Sequence, residues 1–144
     1  MPHTILLVDD NLELLELLAQ SLKILGGYNT AVASDGLTGL ELALTLHPDC
    51  MVIDVMMPEL DGFQLVRTLR GDPDTADIPL IVLTAVPQDK GRFSGMASGA
   101  DHYLVKPVTI AHLVAAIQQA IVTSDADRLH RLQQLATDEE GPNQ

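Results

Sequence analysis

Short, continuous apolar runs alternating with longer helical patterns constrain this chain more than any other feature. Five runs stand out: Ile5–Val8, Thr30–Ala33, Cys50–Ile53, Leu80–Leu83 and Tyr103–Val105. The second is the weakest. Such runs lack the polar alternation of a strand with one face in water, so they read as strands covered on both faces. Between them the periodicity is helical. After Asn11, a plausible N-cap, Leu15, Leu18, Leu22 and Leu25 follow on one face, and Gly26-Gly27 stops that helix. Ser34 and Asp35 precede a helix with Leu37, Leu40 and Leu44, closed at His47-Pro48. Pro58 and Asp61-Gly62 mark a turn region before Phe63, Val66 and Leu69, and Gly71-Asp72-Pro73 breaks that third helix. Ile110, Leu113, Val114, Ile117 and Ile121 define the last one. Strand and helix alternating five times predict an α/β fold, a doubly wound parallel sheet with helices on both faces.

The 144 residues suit one domain with a short extension. Hydrophobic residues make up 47% and aromatic ones 3%, so the core is expected to be aliphatic. The net charge of −12 argues against nonspecific binding to nucleic acid or to an anionic membrane. Cys50 is the only cysteine, which excludes an internal disulfide, fits a reducing compartment and reads as a small core hydrophobe. No apolar stretch approaches a membrane span and no export signal opens the chain, so a soluble, cytoplasmic location is expected.

The strand ends carry the chemistry. Asp9-Asp10 closes the first run, Asp54 the third, Thr84 the fourth, and Lys106 the fifth, just before Pro107. In parallel sheets of this class ligands bind beyond the carboxyl ends of the strands. Carboxylates gathered there repel one another unless a cation intervenes. Oxygen donors suit Mg²⁺, which uses one or two protein carboxylates and leaves room for waters and a phosphoryl group. Lys106 supplies a point charge, Thr84 a hydroxyl donor, and a carboxylate can accept a phosphoryl group. Singly, each residue has a plainer use: Asp9-Asp10 as turn and cap residues, Thr84 as an ordinary strand end, Lys106 as a solvated loop lysine. Asp54 resists that reading, because its strand is apolar on both faces.

Residues 4 to about 122 resemble the receiver domain of bacterial two-component response regulators. The strings ILLVDDN, VIDVMMPELDGFQLVRTLR, IPLIVLTA and GADHYLVKP carry the resemblance. It implies a flavodoxin-like (βα)5 fold with strand order 2-1-3-4-5, and a Mg²⁺-dependent phosphoacceptor at Asp54. Asp10 would ligate the metal directly, Asp9 largely through water, and the Met56 carbonyl would add a further ligand. Thr84, the Ala85 amide and Lys106 would hold the phosphoryl oxygens. Thr84 and Tyr103 would form the switch, although Tyr103 also reads as a half-buried strand aromatic. Lys106-Pro107 looks like the family's cis peptide. The phosphoryl donor would be a sensor histidine kinase or a phosphotransfer protein. The expected role is that of a phosphorylation-driven interaction switch, not an enzyme beyond assisting its own phosphorylation and dephosphorylation.

Some features are individual. By the same resemblance Met56 and Val86 would flank the phosphoryl group and offer nothing to orient water, which predicts slow self-dephosphorylation. Gly91 and Gly95 would weaken a helix before the fifth strand. The receiver is expected over 1–122. The remainder, 123–144, is expected as a helical tail: a break at Thr123–Asp127, then an amphipathic stretch with Leu129, Leu132 and Leu135, then a frayed acidic end. That stripe is expected to dock on its own domain or to form a weak homodimer, with no direct nucleic-acid contact. Two other readings stand beside this one. A haloacid-dehalogenase-type phosphatase would need an Asp where Met56 stands. A receiver-like module working without phosphorylation would not need so complete a site.

Overall fold

The computed structural model describes residues 2–54, 62–84 and 99–140, with the side chains of 137–140 outside that description. Among these residues the elements run β1 (Thr4–Val8), α1 (Leu12–Gly26), β2 (Asn29–Ala33), α2 (Gly36–Leu46), β3 (Cys50–Asp54), α3 (Gly62–Gly71), β4 (Leu80–Thr84), β5 (His102–Val105) and α4 (Ile110–Glu140). All strand pairs are parallel and the order is β2-β1-β3-β4-β5, as the resemblance implied. Gly91 and Gly95, and the helix expected around them, lie outside the described residues.

Alternate residues of the strands feed two cores. Leu6, Val8, Met51, Ile53, Leu80 and Val82 pack with α2 and α3 residues such as Ala43, Phe63, Val66 and Leu69. Ile5, Leu7, Cys50, Val52, Ile81 and Leu83 pack with Leu15 and Leu22 of α1 and Leu113, Ile117 and Ile121 of α4. β3 and β4 are buried along their whole length. Cys50 belongs to the second core, and burial, with Asp101 and Asp49 adding, pushes its thiol up. That fits a packing role.

The end signals act as the local chemistry predicts. The Asn11 side chain accepts from the Leu14 amide, and Gly27, at φ 68°, closes α1 in the left-handed region that favours glycine. Asp35 caps α2 through the Thr38 amide.

Four expectations about the helices need correction. In α1, Leu25 is 67% exposed; it lies about 60° round from Leu22 and misses the sheet. In α2 the buried residues are Gly36, Gly39 and Ala43; of the expected leucines Leu40 packs partly buried against this core, whereas Leu37 and Leu44 do not. A Cβ on Gly39 would stand 3.0 and 3.1 Å from the two methyls of Val8. The helix sits so close that only small residues fit beneath it, and Leu37 and Leu44 face outward. The break expected at Thr123–Asp127 is absent: α4 continues for 31 residues. From Val108 to Glu140 the chain holds no glycine or proline. Thr, Ser and Asp each cost a helix interior only about 0.7 kcal/mol at most, too little to stop one already anchored on the sheet. Leu129, Leu132 and Leu135 are 57, 59 and 61% exposed, so the stripe does not dock on its own domain as expected. The tail touches the body through an exposed ion pair, Arg131 to Asp77 at 3.1 Å.

Candidate functional site

The strand order decides which polar ends meet. β1 and β3 are neighbours, with Val8 level with Ile53, so Asp9 emerges beside Asp54. β4 lies on the other side of β3, with Leu83 level with Asp54, and Thr84 follows one step beyond. Thr84 is level with Val105 on β5, and its carbonyl accepts from the Lys106 amide at 2.7 Å. Residues from four strands thereby converge at one edge of the sheet.

Asp9 and Asp54 are buried, at 4% exposure each, and Thr84 is fully buried; Asp10 faces outward. The Lys106 ammonium lies 3.0 Å from Asp54 Oδ1 and 3.7 Å from Asp9 Oδ2. Asp9 Oδ1 accepts from the Asn11 amide at 2.9 Å, which orients the carboxylate and starts α1. Burial, first, and then the Asp54 charge raise the Asp9 carboxyl above its ordinary value, while the Asn11 amide and Lys106 oppose them.

The donors fit a divalent cation. Asp9, Asp10 and Asp54 bring carboxylate oxygens within 4.8 Å of one another. Asp9 Oδ2 and Asp54 Oδ1 are buried, and neither accepts a hydrogen bond among the described residues; Lys106 meets them as a charge only. Three carboxylates gathered around one ammonium are the donor set a hard dication takes, through oxygen ligands.

Other predicted residues fall around this centre. Tyr103 is half-buried on β5, packed against the α2–α3 core. The Lys106-Pro107 peptide is cis. Met56, Ala85 and Val86 lie outside the described residues. The sequence reading missed an apolar groove of about 390 Å³ beside Lys106, lined by Leu14, Leu18, Leu83, Pro107, Val108 and Leu113. Leu14 and Leu18, at i and i+4 on α1, were its only local trace. It also missed Arg70. That guanidinium donates to the carbonyls of Gly99, Ala76 and Ile78 and pairs with Asp101, locking the entry to β5 onto α3. An arginine in a last helical turn reads as a solvated one, and nothing local says otherwise.

A family model described as the response regulator receiver domain matches residues 5–118. RpaA of Synechocystis sp., described as a DNA-binding dual master transcriptional regulator, is 38% identical over 125 residues, 87% of this chain and 51% of that protein. The response regulator MprA of Mycobacterium tuberculosis is 42% identical over 118 residues, 82% of this chain and 50% of that protein. The chain thus spans about half the length of the curated relatives it matches. Among solved structures, a response regulator receiver domain protein from Clostridium thermocellum superposes with TM-score 0.78 at 29% identity, covering 86% of this chain and 98% of that one. The receiver domain of the sensor histidine kinase PA1611 from Pseudomonas aeruginosa PAO1 was solved with a magnesium ion in its active site cleft. It superposes with TM-score 0.75 at 30% identity, covering 84% of this chain and 98% of that one.

Proposed function

The chain belongs to the response regulator receiver family, and on that premise we propose that Asp54 accepts a phosphoryl group from a phosphohistidine donor. One observation carries this reading: a buried carboxylate at the end of β3 lies 3.0 Å from an ammonium and within 4.8 Å of two further carboxylates. An Asp54 oxygen forms the new bond to phosphorus, and the bond from phosphorus to the donor's imidazole nitrogen breaks. Lys106 stands where the phosphoryl oxygens arrive and offsets their charge. The Thr84 hydroxyl and the Ala85 amide would donate to the same oxygens. Asp9, Asp10 and Asp54 would hold Mg²⁺, with the Met56 carbonyl as a further ligand; when bound, the ion supplies positive charge toward the transferring group. Thr84 turning toward the phosphoryl group and Tyr103 turning inward would convert the modification into a changed surface.

The donor is a sensor histidine kinase or a phosphotransfer protein. RpaA is named for DNA binding; these residues, at net charge −12, present the wrong field for a phosphate backbone, and we assign them the receiving step alone. None of the described helices is long and apolar enough to cross a membrane.

Incubation with Mg²⁺ and acetyl phosphate, read by intact mass, tests the assignment. The wild type should gain one phosphoryl group and Asp54→Ala none. No gain on wild type, or an equal gain on Asp54→Ala, overturns it. A release time course tests the slow self-dephosphorylation expected from Met56 and Val86. Met56→Asn combined with Val86→Glu should release phosphate faster, and equal or slower release refutes the expectation.

A further inference from the structure

Arg70 has no part in the receiving step, yet its side chain ties together segments that the chain sequence keeps apart. Nη1 donates to the carbonyls of Ala76 and Ile78 at 2.8 and 2.6 Å, before β4. Nε donates to the Gly99 carbonyl, and Nη2 to Asp101 Oδ2 at 3.1 Å, before β5. Asp101 Oδ2 accepts in turn from the Leu80 amide at 2.8 Å, and the Asp101 amide donates to the Leu80 carbonyl. The starts of β4 and β5 thus hang from one guanidinium. A lysine could not hold them, because only the planar fork of arginine sends donors toward several acceptors at once.

This clamp stands beside Tyr103. The ladder with β4 already holds at Asp101, so Asp101 and Tyr103, two residues apart, face the same side of the sheet. That side is the one α3 covers: Tyr103 packs against the core that contains Phe63, Val66 and Leu69. The Arg70 stem lies on the same stretch of chain, since a Cβ on Gly99 would stand 2.5 Å from Arg70 Cγ and 2.9 Å from Val66 Cγ1. Burial, first, pulls the guanidinium below its ordinary value, and Asp101, Asp77 and Tyr103 oppose it. Only 24% of the Arg70 side chain is in water. A helix end alone has no need of so costly a group.

We propose that Arg70 is a positioning residue for Tyr103: it fixes the stretch of chain that leads into the ring's strand, so that the ring turns while the strand stays still. The use made of that turn rests on the reading of Tyr103 as the switch.

Acrylamide quenching of tyrosine fluorescence tests this. The chain has two tyrosines and no tryptophan, so Tyr28→Phe leaves Tyr103 as the sole emitter and serves as the parent. Without phosphorylation, Arg70→Ala and Arg70→Lys should each raise quenching roughly twofold, because a loosened strand start exposes the ring. With Mg²⁺ and acetyl phosphate, quenching of the parent should fall as the ring turns inward. The Arg70 variants should gain the same mass and keep their higher quenching. Gly39→Val, which strains α2 against β1, three strands across the sheet from β5, is the control for lost stability and should quench as the parent does. Arg70→Lys decides alone should Arg70→Ala not fold. Unchanged quenching of the resting Arg70 variants overturns the proposal. A rise in Gly39→Val equal to theirs overturns it too, since stability alone would then account for the effect. A parent that gains no mass overturns the Asp54 reading instead, and the resting comparison still decides the role of Arg70.

Discussion

Replacing Lys106 by Met separates the electrostatic role of that residue from its packing. Its ammonium stands 3.0 Å from Asp54 and 3.7 Å from Asp9, and both carboxylate side chains are 5% exposed. At an effective dielectric of about 20, those distances correspond to roughly 5.5 and 4.5 kcal/mol of gross attraction. Desolvation of three charges offsets much of that, and Lys106 keeps 30% of its side chain in water. Removing one member of a buried pair costs about 3–5 kcal/mol; discounted for the exposed lysine, the loss at neutral pH should be about 2–3 kcal/mol in metal-free buffer. The deficit should also depend on pH through Asp9. Burial holds that carboxyl above its ordinary value, and Lys106 is one of the groups holding it down. A carboxyl raised on folding binds its proton more tightly in the folded chain. Its favourable share is complete below the ordinary value and is lost as pH climbs through the folded value. Without Lys106 that loss deepens, so the deficit should be larger at about pH 7 than at about pH 4.5. Urea unfolding at both pH values, with a chelator present, measures it. A loss below about 0.5 kcal/mol at neutral pH, or one that does not change with pH, would refute the argument.

Gly39→Val should cost about 1–3 kcal/mol in urea unfolding, because its Cβ meets both Val8 methyls and the branches have nowhere to go; an unchanged midpoint would show that α2 lifts freely from β1. Arg70→Ala strands the carbonyls of Gly99, Ala76 and Ile78 and should cost about 2–4 kcal/mol, with Arg70→Lys recovering only a minor part. By contrast, Arg131→Ala breaks an exposed pair with Asp77 and should shift stability by less than about 0.5 kcal/mol. The Thr38 amide and hydroxyl hold the Asp35 carboxyl below its ordinary value. Its share of stability is therefore present above that ordinary value and is lost as pH falls through the lower folded one. Asp35→Asn keeps a capping oxygen but removes this titration, so its melting temperature should fall less steeply than wild type between about pH 5 and pH 2.5.

Legibility in the sequence followed the range of the interaction. The strands were readable because burial on both faces leaves an apolar run that nothing else explains, and the ends of α1 because Asn11 and Gly27 act within a few residues of themselves. The acidic centre was readable because its members sit at strand ends, and a parallel sheet brings strand ends together. Faces that depend on how closely two elements approach were not readable. Leu37 and Leu44 of α2 have the right period, yet the tight fit of Gly39 over Val8 turns Gly36, Gly39 and Ala43 inward and leaves those two outside, with Leu40 partly buried. Arg70 is bound by carbonyls up to 29 residues away, and no local pattern marks it.

By itself the sequence determined the alternation of strand and helix, the polar residues at four of the strand ends, and the net acidity of the chain. Only the tertiary structure decided that Lys106 and Asp54, far apart in the chain, stand 3.0 Å apart. It alone decided that an apolar groove opens beside them, and that α4 runs unbroken with its leucines in water. The physical reason is the same in each case. Propensity, capping and periodicity act over a few residues, whereas distances across the sheet and the reach of a helix beyond it are set by packing among elements the chain brings together only on folding.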